Sequence, residues 1–441
     1  MADRRVKTPS RAAGGDALAQ LLGGTWLDPD GGPPIGVPVL AVAIERSLAG
    51  SEADLVGALP VERRFGVVCD VATEAVQGAR VMRALASLGP VTPVVLDAAP
   101  HADLPTVERV RDACAGVDTL IAVGSGTIND LAKYAAAQDG KPYAVFATAP
   151  SMNGYTSMNA SITVDGHKST LPAVAPLGVY LDLGVLAAAP ARLIRSGLGD
   201  SLARSTAQVD WLLSHELLGT PYRRAPFALL AGDEPALLEC PEALLGGDLD
   251  AMRALARTLV LSGLGMTICH GSYPASQGEH LISHYVEMFA PPARAAYLHG
   301  EQVGVTTLTM ARLQEAMLKG AAPRLVPCPV TSADLHRHFG ADAGDACWKE
   351  FSEKRLTQES APQLTHRAAA IWADLRAAFE RIAIPAATIE STLRRAGCPS
   401  AASDIGVDDG FYESAVRNAR YLRNRYTFLD LAADAGRLAP A

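Results

Sequence analysis

The sequence has no paired-cysteine motif, no apolar run of membrane-spanning length and no excess of positive charge. Its seven cysteines are scattered without a CxxC pair. An odd, unpatterned set fits reduced thiols in the cytoplasm better than a disulfide frame, and speaks against a cysteine metal site. Apolar runs are interrupted by Gly, Pro or charge well short of the ~20 residues that span a bilayer. The formal net charge of −8 argues against a nucleic-acid surface. The opening MADRRVKTPSRAAGGD is basic but has no apolar core behind it, so it does not read as a secretory leader. Residues 1–17 are expected to form a mobile tail.

What is present is a 441-residue chain, 49% hydrophobic and 20% charged, ordinary for a globular protein and long enough for two domains. The first half alternates strand and helix patterns. Strands are expected at 65–71, 93–96, 118–123 and 142–148, with helices at 73–88, 107–115 and 128–137. That rhythm implies a parallel sheet covered by helices. After the third strand comes Gly124-Ser125-Gly126-Thr127, then Ile128, Asn129 and Asp130. Glycines at a strand-to-helix turn admit a pyrophosphate to the helix N-terminus. The third glycine of the full fingerprint is replaced by Asn129, and tight turns use glycine for geometry alone. Asp70, ending the first of these strands, is a candidate to bind a ribose hydroxyl, or else a simple turn residue. The polar stretch ATAPSMNGYTSMNASITVDGHKST reads as a loop and a hairpin about Asp165-Gly166, lining a pocket or lying on the surface.

The second half is helical by pattern. Three histidines, His280, His284 and His299, flank a Pro291-Pro292 break. His280 and His284 share a helix face, so the three residues either converge on a divalent metal or hydrogen-bond within a polar interior. A carboxylate ligand is still needed. Asp200, after Gly197-Leu198-Gly199, is either that ligand or the N-cap of the run SLARSTAQVDWLLSHELL. Arg204 lies four residues on, on the same face. Helices are further expected at 248–268, 302–318, 366–381, 389–396 and 411–425. His336, His338 and His366 read as surface residues. Arg417, Arg420, Arg423 and Arg425 read as a solvated or salt-bridged helix face rather than a phosphate site.

Taken in order, GSGTIND, TAPSMNGYTS, the Asp-Gly hairpin, GLGDSLA, GEHLISH and LHGEQV resemble the sn-glycerol-1-phosphate dehydrogenases. These belong with iron-dependent alcohol dehydrogenases and dehydroquinate synthase. The resemblance runs from Leu18 to Gly436. It implies a dehydroquinate synthase-like fold, with a Rossmann-like dinucleotide-binding α/β domain over 18–188 and an all-α metal- and substrate-binding domain over 189–441. It also implies a divalent metal, zinc before nickel or iron, held by Asp200, His280 and His299, with His284 facing substrate. NAD or NADP would meet Gly124, Ser125, Gly126, Thr127, Asp130, Thr148 and Ser151. The substrate would meet Asn153, Arg204 and His284. A homo-oligomer acting on a polyol phosphate, with no nucleic-acid or membrane partner, completes the expectation. The implied reaction interconverts dihydroxyacetone phosphate and sn-glycerol 1-phosphate. Three positions depart from the family pattern: Asn153 replaces an aspartate, Tyr273 an arginine and Arg204 a lysine. The alternatives are a sugar-phosphate cyclase, a polyol dehydrogenase of altered substrate, and a catalytically silent relative. A scarcity of lysine in the helical half, and aspartate rather than glutamate at 200, speak against the cyclase.

Overall fold

A computed structural model describes residues 16–164, 167–290 and 297–438. The Asp165-Gly166 turn, the Pro291-Pro292 break and all but the last two residues of the expected tail lie outside the described residues. Eight strands form: β1 (Ala41–Glu45), β2 (Phe65–Asp70), β3 (Val91–Leu96), β4 (Thr119–Gly124), β5 (Tyr143–Ala147), β6 (Asn159–Val164), β7 (His167–Pro172) and β8 (Gly178–Asp182). Six make one parallel sheet in the order β1-β8-β5-β4-β2-β3, while β6 and β7 form a separate antiparallel hairpin. The apolar runs of β4 and β5 are buried at every position, as a sheet covered on both faces requires.

Two sheet strands were missed in the sequence. β1 (AVAIE) is a short edge strand with one buried residue, and β8 (GVYLD) opens on the glycine of Pro176-Leu177-Gly178, which reads as loop. The helix expected at 73–88 is interrupted by a π-turn at Glu74–Gly78. The helix expected at 411–425 stops at Asn418, and Ala419–Tyr421 tightens into a 3-10 turn.

The helices that matter for the site are α1 (Leu104–Ala113), α2 (Gly126–Asp139), α3 (Ala191–Leu218), α4 (Leu249–Ile268), α5 (Gly278–Phe289) and α6 (His299–Leu318). α3 and α6 pack along much of their length. Here the structure corrects the expected start of α3. The helix begins at Ala191 and runs through Gly197-Leu198-Gly199, so Asp200 is interior and not an N-cap. The glycines survive mid-helix because other backbone crosses there. A Cβ at Gly197 would overlap the Pro150 carbonyl, and one at Gly199 the Gly300 carbonyl. The apolar core is continuous from the sheet (Val145, Leu181) into the helices (Leu198, Leu259). Full burial of such a leucine contributes roughly 1.5–3 kcal/mol, so the two halves are joined by packing as well as by chain. No described helix is long and apolar enough to cross a membrane.

Candidate active site

A cleft of about 450 Å³ opens between the ends of β4 and β5 and helices α3, α5 and α6. On the sheet side, Ser125, Gly126 and Thr127 line it. Ser125 sits at the N-cap of α2 in an extended conformation and makes no side-chain capping bond, leaving the first-turn N–H groups of α2 directed at the cleft. Gly124 serves packing, since a Cβ there would meet Ile128 at 2.5 Å. A Cβ at Gly126 would come within 3.3 Å of the Met152 side chain. Asp130 lines the cleft and accepts the Ser161 N–H at 3.0 Å, tying α2 to the hairpin. Thr148 donates its N–H to the Gly124 carbonyl at 3.1 Å and does not line the cleft.

On the helical side, the side-chain donors of Asp200, His280 and His299 come from α3, α5 and α6, and one ligand atom of each lies within 4.8 Å of the others. Asp200 is 2% exposed. Its Oδ2 accepts the Asn153 N–H at 2.9 Å, while its Oδ1 is buried without a hydrogen-bond partner, 3.7 Å from His280 Nε2. A buried carboxylate oxygen without a hydrogen-bond partner among the described residues, facing an imidazole nitrogen, offers two donor atoms to a cation. Each imidazole is oriented from behind. His280 Nδ1 donates to Glu279 at 3.0 Å and His299 Nδ1 to Glu287 at 3.1 Å, which leaves the Nε2 lone pair of each ring for a metal. Two imidazoles and one carboxylate therefore fit a divalent ion. His284 is absent from this set. It groups instead with Glu287 and His299, and its ring lies 6.0 Å from that of His299.

Three residues were not singled out in the sequence. Glu279 and Glu287 had a signal in their spacing, one directly before His280 and one three residues after His284, on the same helix. Glu279 is fully buried and also accepts from Gln277 N and Thr206 Oγ1. Its charge, after burial itself, pushes the neighbouring Asp210 carboxyl up to about 8. Lys133 gave no signal, as a lone lysine in α2. It is fully buried, and its ammonium donates to the carbonyls of Gly154 (2.7 Å) and Asn159 (3.0 Å), holding the loop between β5 and β6 against α2. Burial depresses it to about 8, with Asp130 opposing.

Besides Thr148, two expected site residues turn elsewhere. Arg204 does not line the cleft. Its guanidinium donates to Glu234 at 2.5 Å and to Gln208 at 2.8 Å, because one helical turn beyond Asp200 its long stem reaches away from the Asp200, His280 and His299 cluster. Asp70 also lies off the cleft lining. Its carboxylate accepts from Thr73 N at 2.7 Å in a reciprocal capping box. Asn153, Ser151 and His284 do line the cleft, and Asn153 Nδ2 donates to Ser262 Oγ at 3.3 Å. Tyr273 points to the far side of its loop, where its ring stacks on Trp211 at 5.9 Å. His336 pairs with Asp345, and His338 with the Tyr285 hydroxyl, both outside the cleft lining.

A family profile of iron-containing alcohol dehydrogenases matches residues 43–190. The chain is 33% identical over 313 residues to the NAD(P)+ glycerol-1-phosphate dehydrogenase of Bacillus subtilis, covering 71% of this chain and 69% of that protein. It is 29% identical over 375 residues to the Bacillus licheniformis protein of the same name, covering 84% and 82%. Among solved structures, a probable glycerol dehydrogenase from Sinorhizobium meliloti superposes with a TM-score of 0.56 at 19% identity, covering 88% and 90%. A sulfoacetaldehyde reductase from Bifidobacterium kashiwanohense, in complex with NAD+, does so with 0.57 at 16%, covering 92% and 98%. At such identities the solved structures establish a shared fold.

Proposed function

The chain belongs to the glycerol-1-phosphate dehydrogenase family, and from that premise we propose that it interconverts dihydroxyacetone phosphate and sn-glycerol 1-phosphate. NAD or NADP and one divalent metal serve the reaction, with zinc first because two imidazoles and a carboxylate suit it, and nickel or iron next. The observation that carries this reading is the orphaned Oδ1 of Asp200 facing His280, with His299 completing the donor set. When bound, the metal polarises the carbonyl that receives the hydride of the reduced nicotinamide.

The chain's own residues supply the rest. The first turn of α2 offers its N–H groups and positive dipole end to the pyrophosphate. Asn153 holds the Asp200 carboxylate through its N–H, while Glu279 and Glu287 hold the two imidazoles in one tautomer. His284 is the candidate to move a proton at the substrate oxygen, since it lines the cleft and stands apart from the Asp200 set. Reduction of dihydroxyacetone phosphate should be lost on chelation and return with added zinc. Undiminished turnover by enzyme shown to be metal-free would sink this account. A cytoplasmic homo-oligomer rests on the resemblance alone; light scattering of the purified protein tests the assembly and cell fractionation the location.

A further inference from the structure

The loop from Gly271 to Gln277 has a second cavity behind it, of about 630 Å³, on the side away from the cleft. Four cationic side chains and one carboxylate line this cavity. Two of the cations are already neutralised, Lys354 by Asp430 at 2.9 Å and Arg223 by Asp28. The carboxylate, Glu353, accepts from Asn424 Nδ2 at 2.8 Å. The other two cations, Arg425 and Arg355, have no carboxylate in ion-pair reach among the described residues.

Arg425 instead donates to Ser272 Oγ at 2.8 Å and to the Ser276 carbonyl, with its Cζ 4.7 Å from the centre of the Tyr273 ring. Arg355 donates through Nε to the Val330 carbonyl at 3.0 Å and lies 5.9 Å from the Trp348 ring, which leaves its terminal Nη groups without a protein acceptor among the described residues. Burial, the largest influence, lowers Arg425 to about 10, against the opposing pull of Tyr273, Glu279 and Glu350. Taking an ion out of water costs several kcal/mol unless it is paired. Two guanidiniums without a carboxylate partner among the described residues line the same cavity, and each is planar and forked, as oxyanion recognition requires. The arginine run that read as a solvated or salt-bridged face is therefore divided. Arg420 is buried in ion pairs with Asp430 and Asp434, while Arg425 faces the cavity.

We propose that this second cavity is a binding site for a small dianion of the phosphate class, with Arg355 and Arg425 as its recognising groups. The site adjoins the cleft through one side chain, because the Ser272 and Ser276 that Arg425 holds both line the cleft. It does not depend on which reaction the cleft performs.

The test is equilibrium dialysis of the full-length enzyme against radiolabelled inorganic phosphate, with metal loaded and with metal stripped. A parallel series with ribose 5-phosphate separates free phosphate from a phosphate ester as the preferred form. The expected result is one saturable site per chain that survives metal stripping and weakens at least tenfold in Arg355→Gln. Should that variant melt early, Arg355→Lys, which keeps the charge and loses the fork, is expected to weaken binding to a smaller degree. No binding, binding that disappears with the metal, or binding indifferent to both Arg355 and Arg425 substitutions would overturn the proposal.

Discussion

The proposed nucleotide turn and the proposed metal centre face one cleft but are built in opposite ways. The turn is local, made by the end of β4 and the first turn of α2, and its donors are backbone N–H groups. The proposed metal centre is dispersed, with one side chain each from α3, α5 and α6, and every candidate ligand is held from behind by another group. A site made of backbone tolerates most side-chain exchange and is vulnerable to bulk. A site made of side chains tolerates bulk nearby and is vulnerable to the loss of any donor. Different substitutions should therefore damage the two regions.

The largest effect is expected at the dispersed side. His280→Ala or His299→Ala should lose metal retention and lower turnover by more than the roughly 10–100-fold typical of supporting residues, whereas His284→Ala should keep its metal and lose rate. Metal analysis of the three purified variants checks this, and equal metal loss in all three would make His284 a ligand.

Next in size is Lys133, which holds the loop between the two regions. Its folded value, about 8, lies below the ordinary lysine value of 10.5, so the unfolded chain binds the extra proton between those limits. Stability is then highest above the unfolded value and is lost as pH falls through this window. Relative to wild type, Lys133→Met should therefore gain about 3 kcal/mol as pH drops from the upper limit to the lower, at ~1.4 kcal/mol per unit. Denaturant melts of both proteins across this range measure the difference, and parallel curves would show that Lys133 titrates normally.

Glu279→Gln and Glu287→Gln should each reduce metal affinity by about 10–100-fold, with the protein still folded. Competition with a chromogenic chelator gives the numbers, and wild-type affinity in both would remove the orienting role. On the nucleotide side, Gly126→Val should press on Met152 and weaken cofactor binding by about tenfold, the effect of ~1.4 kcal/mol of overpacking. Fluorescence titration with NADH and NADPH reads it out. Unchanged affinity in a folded variant would move the dinucleotide elsewhere.

The smallest effect tests the point where the two regions touch. Asn153 donates its N–H to Asp200 and lines the cleft. Asn153→Asp adds a second negative charge beside the first, worth about 1 kcal/mol at the solvent-exposed limit. It should lower kcat/KM several-fold for the phosphorylated substrate and less for glycerol. A variant faster on the phosphate ester, with a new acidic limb in its pH profile, would reverse that reading.

Much of this protein was legible from residue order because short-range sterics write directly into sequence. The buried runs of β2, β4 and β5, the GSGT turn and the histidine spacing of α5 follow from backbone period and turn chemistry, which need no partner. The local pattern could not tell whether Asp200 capped a helix or faced a metal. That was decided by Pro150 and Gly300 crossing at Gly197 and Gly199, which keeps α3 continuous and carries Asp200 inward. The same holds for Arg204, spent on Glu234, for Lys133, buried under a loop, and for Arg425, turned against Tyr273. A charged side chain takes its role from whichever groups surround it after folding, at distances of a few ångströms that residue order leaves open. Sequence therefore determined the strand-to-helix turn at GSGT and the histidine spacing of α5, and left the role of Asp200 open. Only the packing of α3 against α6 and of α5 beside them brought the ligands together and decided which charges were left unpaired.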